Sequence, residues 1–237
     1  MFRRYPITIL IVALSVFSAA SPAITEWFQL DFSKAVEGEW WRWFSGHVTH
    51  FDLSHLIWDC GMFAVLSVIC ESRYRKWYPA ILLASLPLIS AGIVISCPEI
   101  ASYRGLSGID TMLFTWLGIA AIKNNLRRGD RIFATAAAVG VACMLGKLAY
   151  EGITGEILFV NSDSFQPLVE AHIAGAICGA AAACFDWQKT PKPLLIFSKA
   201  MQISRERLCR LPGRLTDVSA RHGNNQGSHA SAPADAE

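Results

Sequence analysis

Six mostly apolar stretches constrain this chain more than any other feature. They are residues 7–24, 53–70, 78–97, 106–122, 132–150 and 168–185. About 20 consecutive apolar residues in an α-helix span the roughly 30 Å hydrocarbon core of a bilayer, so each stretch is about long enough to cross it. The first and third carry no charged side chain, whereas the other four contain ionisable residues. The pattern predicts an all-α membrane protein, a bundle of six transmembrane helices.

Composition and charge agree with this prediction. Hydrophobic residues make up 53% of the 237-residue chain and charged residues only 17%, which is too apolar for an ordinary soluble domain. Basic residues gather before the first stretch, after the second, between the fourth and fifth, and after the sixth. The segments between these groups, residues 25–52, 98–105 and 151–167, contain only three basic residues: Lys34, Arg42 and Arg104. Because cytoplasmic loops carry the excess of Lys and Arg, both termini are predicted to be cytoplasmic.

The N-terminus has a second interpretation. Arg3 and Arg4, followed by an apolar run that ends in small residues, also fit a cleaved secretory signal. Cleavage would leave five spans and break the alternation of basic and non-basic loops. We therefore expect the first helix to be retained.

The chain is predicted to have two parts. Residues 1–188 form the membrane domain, and residues 189–237 form a basic, partly disordered cytoplasmic tail whose first part suits a helix lying on an anionic leaflet. The net charge of +2 lies mostly in the cytoplasmic segments. It indicates topology and contact with the lipid bilayer rather than binding to nucleic acid. The seven cysteines match no metal or redox spacing.

A glycine-flanked serine opens the fourth stretch, in Gly105-Leu106-Ser107-Gly108. The glycines permit a tight turn and close approach of another segment. Ser107 falls in the first turn of the predicted helix, where unpaired backbone N–H groups can stabilise an oxyanion. On its own the motif also fits glycine-mediated helix packing.

A serine becomes a nucleophile only with a base in reach. The candidate base is His172, because a histidine inside an apolar helix is costly and tends to be functional. Gly175 and Gly179 follow it by three and seven residues, on the same helix face. A Gly-x-x-x-Gly face lets two helices approach closely, as a serine–histidine hydrogen bond between helices requires.

Three histidines and an acid lie at the start of the second stretch: His47, His50, His55 and Asp59. His55 and Asp59 are four residues apart, so they share a helix face. The spacing lacks the His-Glu-x-x-His pattern of membrane zinc proteases. A hydrogen-bond network at an active site is favoured over structural packing and over a metal site, and we expect no metal or cofactor.

Other polar features are more simply structural. Glu71 is expected to form a cytoplasmic ion pair among nearby arginines, and Lys147 and Glu151 an interfacial pair. Asp110, one turn after Ser107, receives no role. Three tryptophans flank Arg42, which predicts a segment anchored at the membrane interface: Trp40, Trp41 and Trp43.

Together these motifs resemble the rhomboid intramembrane serine proteases over about residues 40–187. The residues that carry the resemblance are Trp41-Arg42, His50, His55, Asp59, Glu71, Gly105-Leu106-Ser107-Gly108, and Ala171-His172-Ile173-Ala174-Gly175 with Gly179. The resemblance implies a six-helix rhomboid-like bundle with a Ser107–His172 dyad. Ser107 would attack a peptide carbonyl, and His172 would act as base and then as acid.

The resemblance also implies that His55 and the Ser107 backbone N–H stabilise the oxyanion. We expect water to enter through polar groups such as His50. Two positions depart from the family pattern. Asp59 replaces the usual asparagine, and an ionised carboxylate would repel an oxyanion unless it is protonated, turned away or engaged with His55. Thr111 stands where the family commonly has a tyrosine, so His172 must be braced otherwise.

The expected function is that of an intramembrane serine endopeptidase that cleaves single-span membrane proteins near the external face of a bacterial inner membrane. The compact size and Tyr103-Arg104 before Gly105 resemble the rhombosortase branch, which is thought to clip C-terminal sorting tails from exported proteins. One alternative is a catalytically silent rhomboid-like protein that binds membrane helices. Another is a transporter or channel that uses the histidines and Asp59 as an ion path.

Overall fold

The computed structural model describes residues 4–156, 158 and 168–185. Within them, regular structure is almost entirely helical. The elements are α1 (Pro6–Ser18), α2 (Pro22–Phe28), β1 (Leu30–Asp31), α3 (Phe32–Val36), α4 (Arg42–Ser45), a 3-10 helix (Gly46–Val48), α5 (Leu53–Arg73), α6 (Tyr78–Ser96), β2 (Ser102–Tyr103), α7 (Ser107–Arg127), α8 (Arg131–Thr154) and α9 (Val169–Cys184). The predicted tail, residues 189–237, and the boundary at residue 188 lie outside the described residues and stay predictions.

The second to sixth apolar stretches coincide with α5 to α9, and the first covers most of α1 and the start of α2. Within the described ranges, α5, α6 and α8 are long and apolar enough to cross a membrane, and α1 and α9 are shorter apolar helices. The prediction of a mostly helical membrane protein is confirmed. The count of six spans stays a prediction.

The first stretch departs from the prediction of one helix over residues 7–24. Helix α1 ends at Ser18, and α2 begins at Pro22. The Ser21 side chain accepts a hydrogen bond from the Ile24 N–H at 3.3 Å, which caps the new helix. Pro22 suits this first turn because it has no N–H to leave unpaired. The single-helix prediction was wrong because it followed hydropathy past a capping serine and a proline.

Glu71 joins α5 to the start of α1. Its carboxylate oxygens accept the N–H groups of Ile7 at 3.1 Å and Thr8 at 3.2 Å, and the Thr8 hydroxyl at 2.8 Å. The first N–H groups of a helix have no partner within the helix, and an acidic group there also complements the helix dipole. Glu71 therefore fixes the start of α1 against α5. The sequence had suggested only an ion pair with nearby arginines.

The segment between α1 and α5 packs as an anchored layer. Trp27 stacks on Trp41 with ring centroids 5.1 Å apart. The buried Arg42 donates two 2.8 Å hydrogen bonds to the carbonyls of Glu26 and Gln29, at the end of α2. Strand β1 pairs antiparallel with β2, which lies just before Ser107. The layer therefore contacts the segment that immediately precedes Ser107.

Helices α7 and α9 touch through their backbones. A Cβ added to Gly175 would lie 2.0 Å from the Gly108 carbonyl oxygen, and one added to Gly179 would lie 2.3 Å from that of Met112. Such distances are far inside van der Waals contact, so only glycine fits at these positions. The Gly-x-x-x-Gly face of α9 packs against the first turns of α7.

Candidate active site

The five residues 103–107, here called the serine loop, lead into α7. Gly105 has a φ of +130°, a conformation that favours glycine. A Cβ at this position would also lie 3.0 Å from Nε2 of His55. The Gly105 N–H donates to the Gly46 carbonyl at 3.4 Å, and the Tyr103 hydroxyl donates to the Gly105 carbonyl at 2.9 Å. The loop is therefore held by one hydrogen bond to the 3-10 helix and by one hydrogen bond within the loop.

Ser107 is the first residue of α7, and no side chain caps this helix N-terminus within the described residues. Ser107 is partly exposed, whereas Gly108 and Ile109 behind it are buried. Burial raises the pKa of the Tyr103 phenol, while the Ser107 hydroxyl and the Gly108 N–H face the phenol oxygen as donors and oppose that shift. Ser107 therefore lies close to Tyr103.

His172 lies near the start of α9 and is buried. Its neighbour Ala171 places its carbonyl oxygen 3.0 Å from where a Gly108 Cβ would be. Ser107 and His172 each adjoin the residues at which the two helices touch. The Thr111 hydroxyl donates to the Ser107 carbonyl at 2.9 Å, within its own helix, so its bond is to α7 rather than to His172.

Asp59, on α5, lies at the centre of a group of polar residues that includes His50 and His55. Its Oδ2 atom accepts the Leu106 N–H at 2.8 Å. The same atom lies 3.1 Å from Nε2 of His55 and 3.4 Å from Nε2 of His50. The rings of His50 and His55 meet edge-on at 5.0 Å, and Phe51 stacks on His55. Of the three arrangements considered for Asp59, the structure has it engaged with His55.

His47 does not join this group. Its Nε2 contacts the Leu86 carbonyl at 2.9 Å and the Ser90 hydroxyl at 3.0 Å, and its ring packs against Tyr103. Burial lowers the pKa of His47 to about 4, so the ring is neutral at physiological pH. His47 ties the 3-10 helix to α6. Among the described residues, no group of His, Cys, Asp and Glu is arranged to hold a metal ion.

Arg104 and Asp110 had no predicted structural role, whereas the pair of Lys147 and Glu151 was predicted. The Arg104 side chain donates to the Gln29 side-chain oxygen at 2.8 Å and lies over the Phe51 ring, so it holds the serine loop against the segment between α1 and α5. Asp110 is buried in α7, and its Oδ1 has no hydrogen-bond partner among the residues described. The Lys147 ammonium lies 2.7 Å from the buried Glu151, as the spacing predicted.

An apolar cavity of about 260 Å³ borders the serine loop at Leu106. Helix α4 and the residues before it supply Trp40, Trp41 and Phe44 to its wall, and α1 and α6 supply aliphatic side chains. An apolar group in this cavity would thus lie beside the residue before Ser107.

Apolar helices packed around a buried polar site define a multi-pass helical membrane protein. The sequence model of the Rhomboid domain matches residues 37–189, well over half of the chain, and the chain belongs to the rhomboid family. Family membership is therefore confirmed. Rhomboid proteins are intramembrane serine proteases, although some members are inactive. Among curated proteins, no significant match to the chain is found.

Proposed function

We propose that this chain is an intramembrane serine endopeptidase in which Ser107 and His172 form the catalytic dyad. The observation that carries the proposal is the backbone contact between α7 and α9, where Gly175 lies against the Gly108 carbonyl. A nucleophile and its base must come within about 3 Å of each other during the reaction. Helices this close allow side chains of neighbouring residues to meet.

In the proposed reaction, rotation about the Cα–Cβ bond of Ser107 turns its hydroxyl toward His172. His172, buried and neutral, takes the hydroxyl proton as the serine oxygen attacks the scissile carbonyl. The tetrahedral intermediate collapses, and His172 gives its proton to the leaving amine. A water molecule then cleaves the acyl-enzyme through the same proton exchange and regenerates Ser107.

Negative charge on the substrate carbonyl oxygen needs donors that are already in position. The Ser107 N–H lies in the first turn of α7, where a helix has N–H groups without intrahelical partners. His55 lies beside Gly105 and is the nearest candidate side chain from α5. We assign these two groups to the oxyanion, with His50 as part of the polar path that admits water.

The substrates that suit this site are single-span membrane proteins cleaved near the external membrane face. With the predicted six spans and both termini cytoplasmic, the start of α7 would lie at that face, and we assign the protein to the inner membrane of a bacterium. The apolar cavity beside Leu106 suits an apolar substrate side chain. Tyr103-Arg104 before the glycine motif favours the rhombosortase branch, and hence C-terminal sorting tails made of a glycine-rich motif, an apolar helix and a basic end.

The test is cleavage in liposomes of a reporter fused to such a tail, compared with the same helix lacking the glycine-rich motif and the basic end. We expect wild-type protein to cut the first reporter, and Ser107→Ala and His172→Ala to be inactive. Ser96→Ala, at the exposed end of α6, is the matched serine control and should keep wild-type activity. Cleavage by folded Ser107→Ala would refute the dyad, and equal cleavage of both reporters would refute the preference for sorting tails.

A further inference from the structure

Asp59 holds the backbone that leads into Ser107. Its Oδ2 accepts the Leu106 N–H at 2.8 Å, across 47 residues of sequence. Leu106 immediately precedes the serine and is the N-cap residue of α7, but its own side chain caps nothing. The bond therefore links α5 directly to the point at which α7 begins.

The same oxygen faces the two histidines of the site, 3.1 Å from His55 and 3.4 Å from His50. Asp59 is only 8% exposed, and a buried carboxylate is stable only when donors surround it. Gly105 packs over this arrangement, since a Cβ there would lie 3.2 Å from the same Oδ2 atom. One carboxylate oxygen thus links the serine loop, α5 and His55, whereas the more distant Nε2 of His50 has no hydrogen-bond partner among the described residues.

We propose that Asp59 is a positioning residue for Ser107, acting as the hydrogen-bond acceptor that fixes the Leu106 backbone and orients His55. In this role Asp59 does not donate to the oxyanion. Its carboxylate instead binds the N–H of the residue before the nucleophile, which leaves the next N–H groups of α7 for the reaction. The catalytic part of this proposal rests on the proposed function, whereas the anchoring part does not.

The acceptor role distinguishes three variants at this position. Asp59→Asn keeps a side-chain oxygen that can accept the Leu106 N–H, whereas Asp59→Ala removes every acceptor. A displacement of about 1 Å at a reacting group lowers the rate by roughly 100-fold. We therefore expect a kcat about 100-fold lower with little change in KM for Asp59→Ala, and recovery to within about tenfold of wild type for Asp59→Asn. Asp59→Glu keeps the charge on a longer arm and should remain impaired.

Hydrogen–deuterium exchange at the Leu106 amide tests the anchor without requiring activity. We expect slow exchange in wild type and Asp59→Asn, and faster exchange in Asp59→Ala. Asp110→Asn is the matched control, because Asp110 is an equally buried carboxylate on α7, and its Oδ1 has no partner among the described residues. This variant should leave Leu106 exchange unchanged.

The outcomes separate the two proposals. If wild type shows no Ser107-dependent cleavage but Leu106 exchange follows the acceptor, the proposed function fails and the anchor stands. If Asp59→Asn is as inactive as Asp59→Ala, the charge rather than the acceptor matters, and the positioning role is overturned. The role is overturned equally if Asp59→Asn is more active than wild type, or if exchange in folded Asp59→Ala matches wild type.

Discussion

Replacing Gly175 by alanine tests the helix contact on which the proposed dyad depends. The new Cβ would lie 2.0 Å from the Gly108 carbonyl oxygen, and real Cβ atoms essentially never approach closer than 3.0 Å. Because the opposing atom belongs to backbone, a side-chain rotation does not relieve the clash. Helix α9 must therefore move away from α7 by about 1 Å at this level, the difference between those two distances.

The consequence is expected to be larger for catalysis than for stability. Overpacking a well-packed contact costs about 1–3 kcal/mol, against about 1 kcal/mol gained from the higher helix propensity of alanine. A net loss of up to about 2 kcal/mol leaves much of the protein folded. A misplacement of about 1 Å between Ser107 and His172 lowers the rate roughly 100-fold, which corresponds to about 2.7 kcal/mol.

The assay measures kcat for the liposome reporter together with thermal unfolding in detergent. Gly146→Ala is the matched control, because this glycine lies in α8 and a Cβ there would meet nothing within 4 Å. We expect Gly146→Ala to keep kcat within about twofold of wild type. The reasoning is refuted if Gly175→Ala unfolds at the wild-type temperature and retains the wild-type kcat.

Three further predictions concern the surroundings of the site. The pKa of His47 is about 4 in the folded protein and 6.5 in the unfolded chain, so the free energy of unfolding falls by about 3 kcal/mol as the pH drops from 6.5 to 4. Unfolding of His47→Gln should depend less on pH than unfolding of the wild type, and an equal dependence would contradict this prediction. Arg42→Lys should lower the free energy of unfolding by about 1–3 kcal/mol, because the guanidinium binds two carbonyls through Nη1 and the Glu39 carboxylate through Nε, and a single ammonium group cannot hold all three. Chemical denaturation measures the loss, and an unchanged midpoint would contradict this role of Arg42. Tyr103→Phe leaves the Gly105 carbonyl without its 2.9 Å donor, so we expect the free energy of unfolding to fall by about 1–3 kcal/mol and cleavage to be slower. A variant as stable and as active as the wild type would disprove a role for this hydroxyl.

The sequence predicted those parts of the fold that depend on local composition. Apolar length located α5 to α9, and the period of an α-helix placed His172, Gly175 and Gly179 on one face. The pairing of Lys147 with Glu151 was also predictable from the sequence, since residues four apart on a helix lie next to each other. The break after Ser18 was missed, although the serine and proline that signal it were visible in the sequence.

Contacts between distant segments were beyond prediction. Glu71 reaches the Thr8 N–H across 63 residues, and Asp59 reaches the Leu106 N–H across 47. The sequence shows that each acid is costly to bury, but not which backbone N–H will satisfy it, because that depends on how the helices cross. For the same reason His47 was grouped with its neighbours in sequence, whereas packing turns it toward α6.

The most direct test of the proposed activity is labelling of the purified protein in detergent by a serine-reactive fluorophosphonate. The reagent requires an activated serine but no knowledge of the substrate. We expect wild type to be labelled on Ser107, and neither Ser107→Ala nor His172→Ala to be labelled. Undiminished labelling of His172→Ala, or no labelling of folded wild type, would contradict a Ser107–His172 dyad.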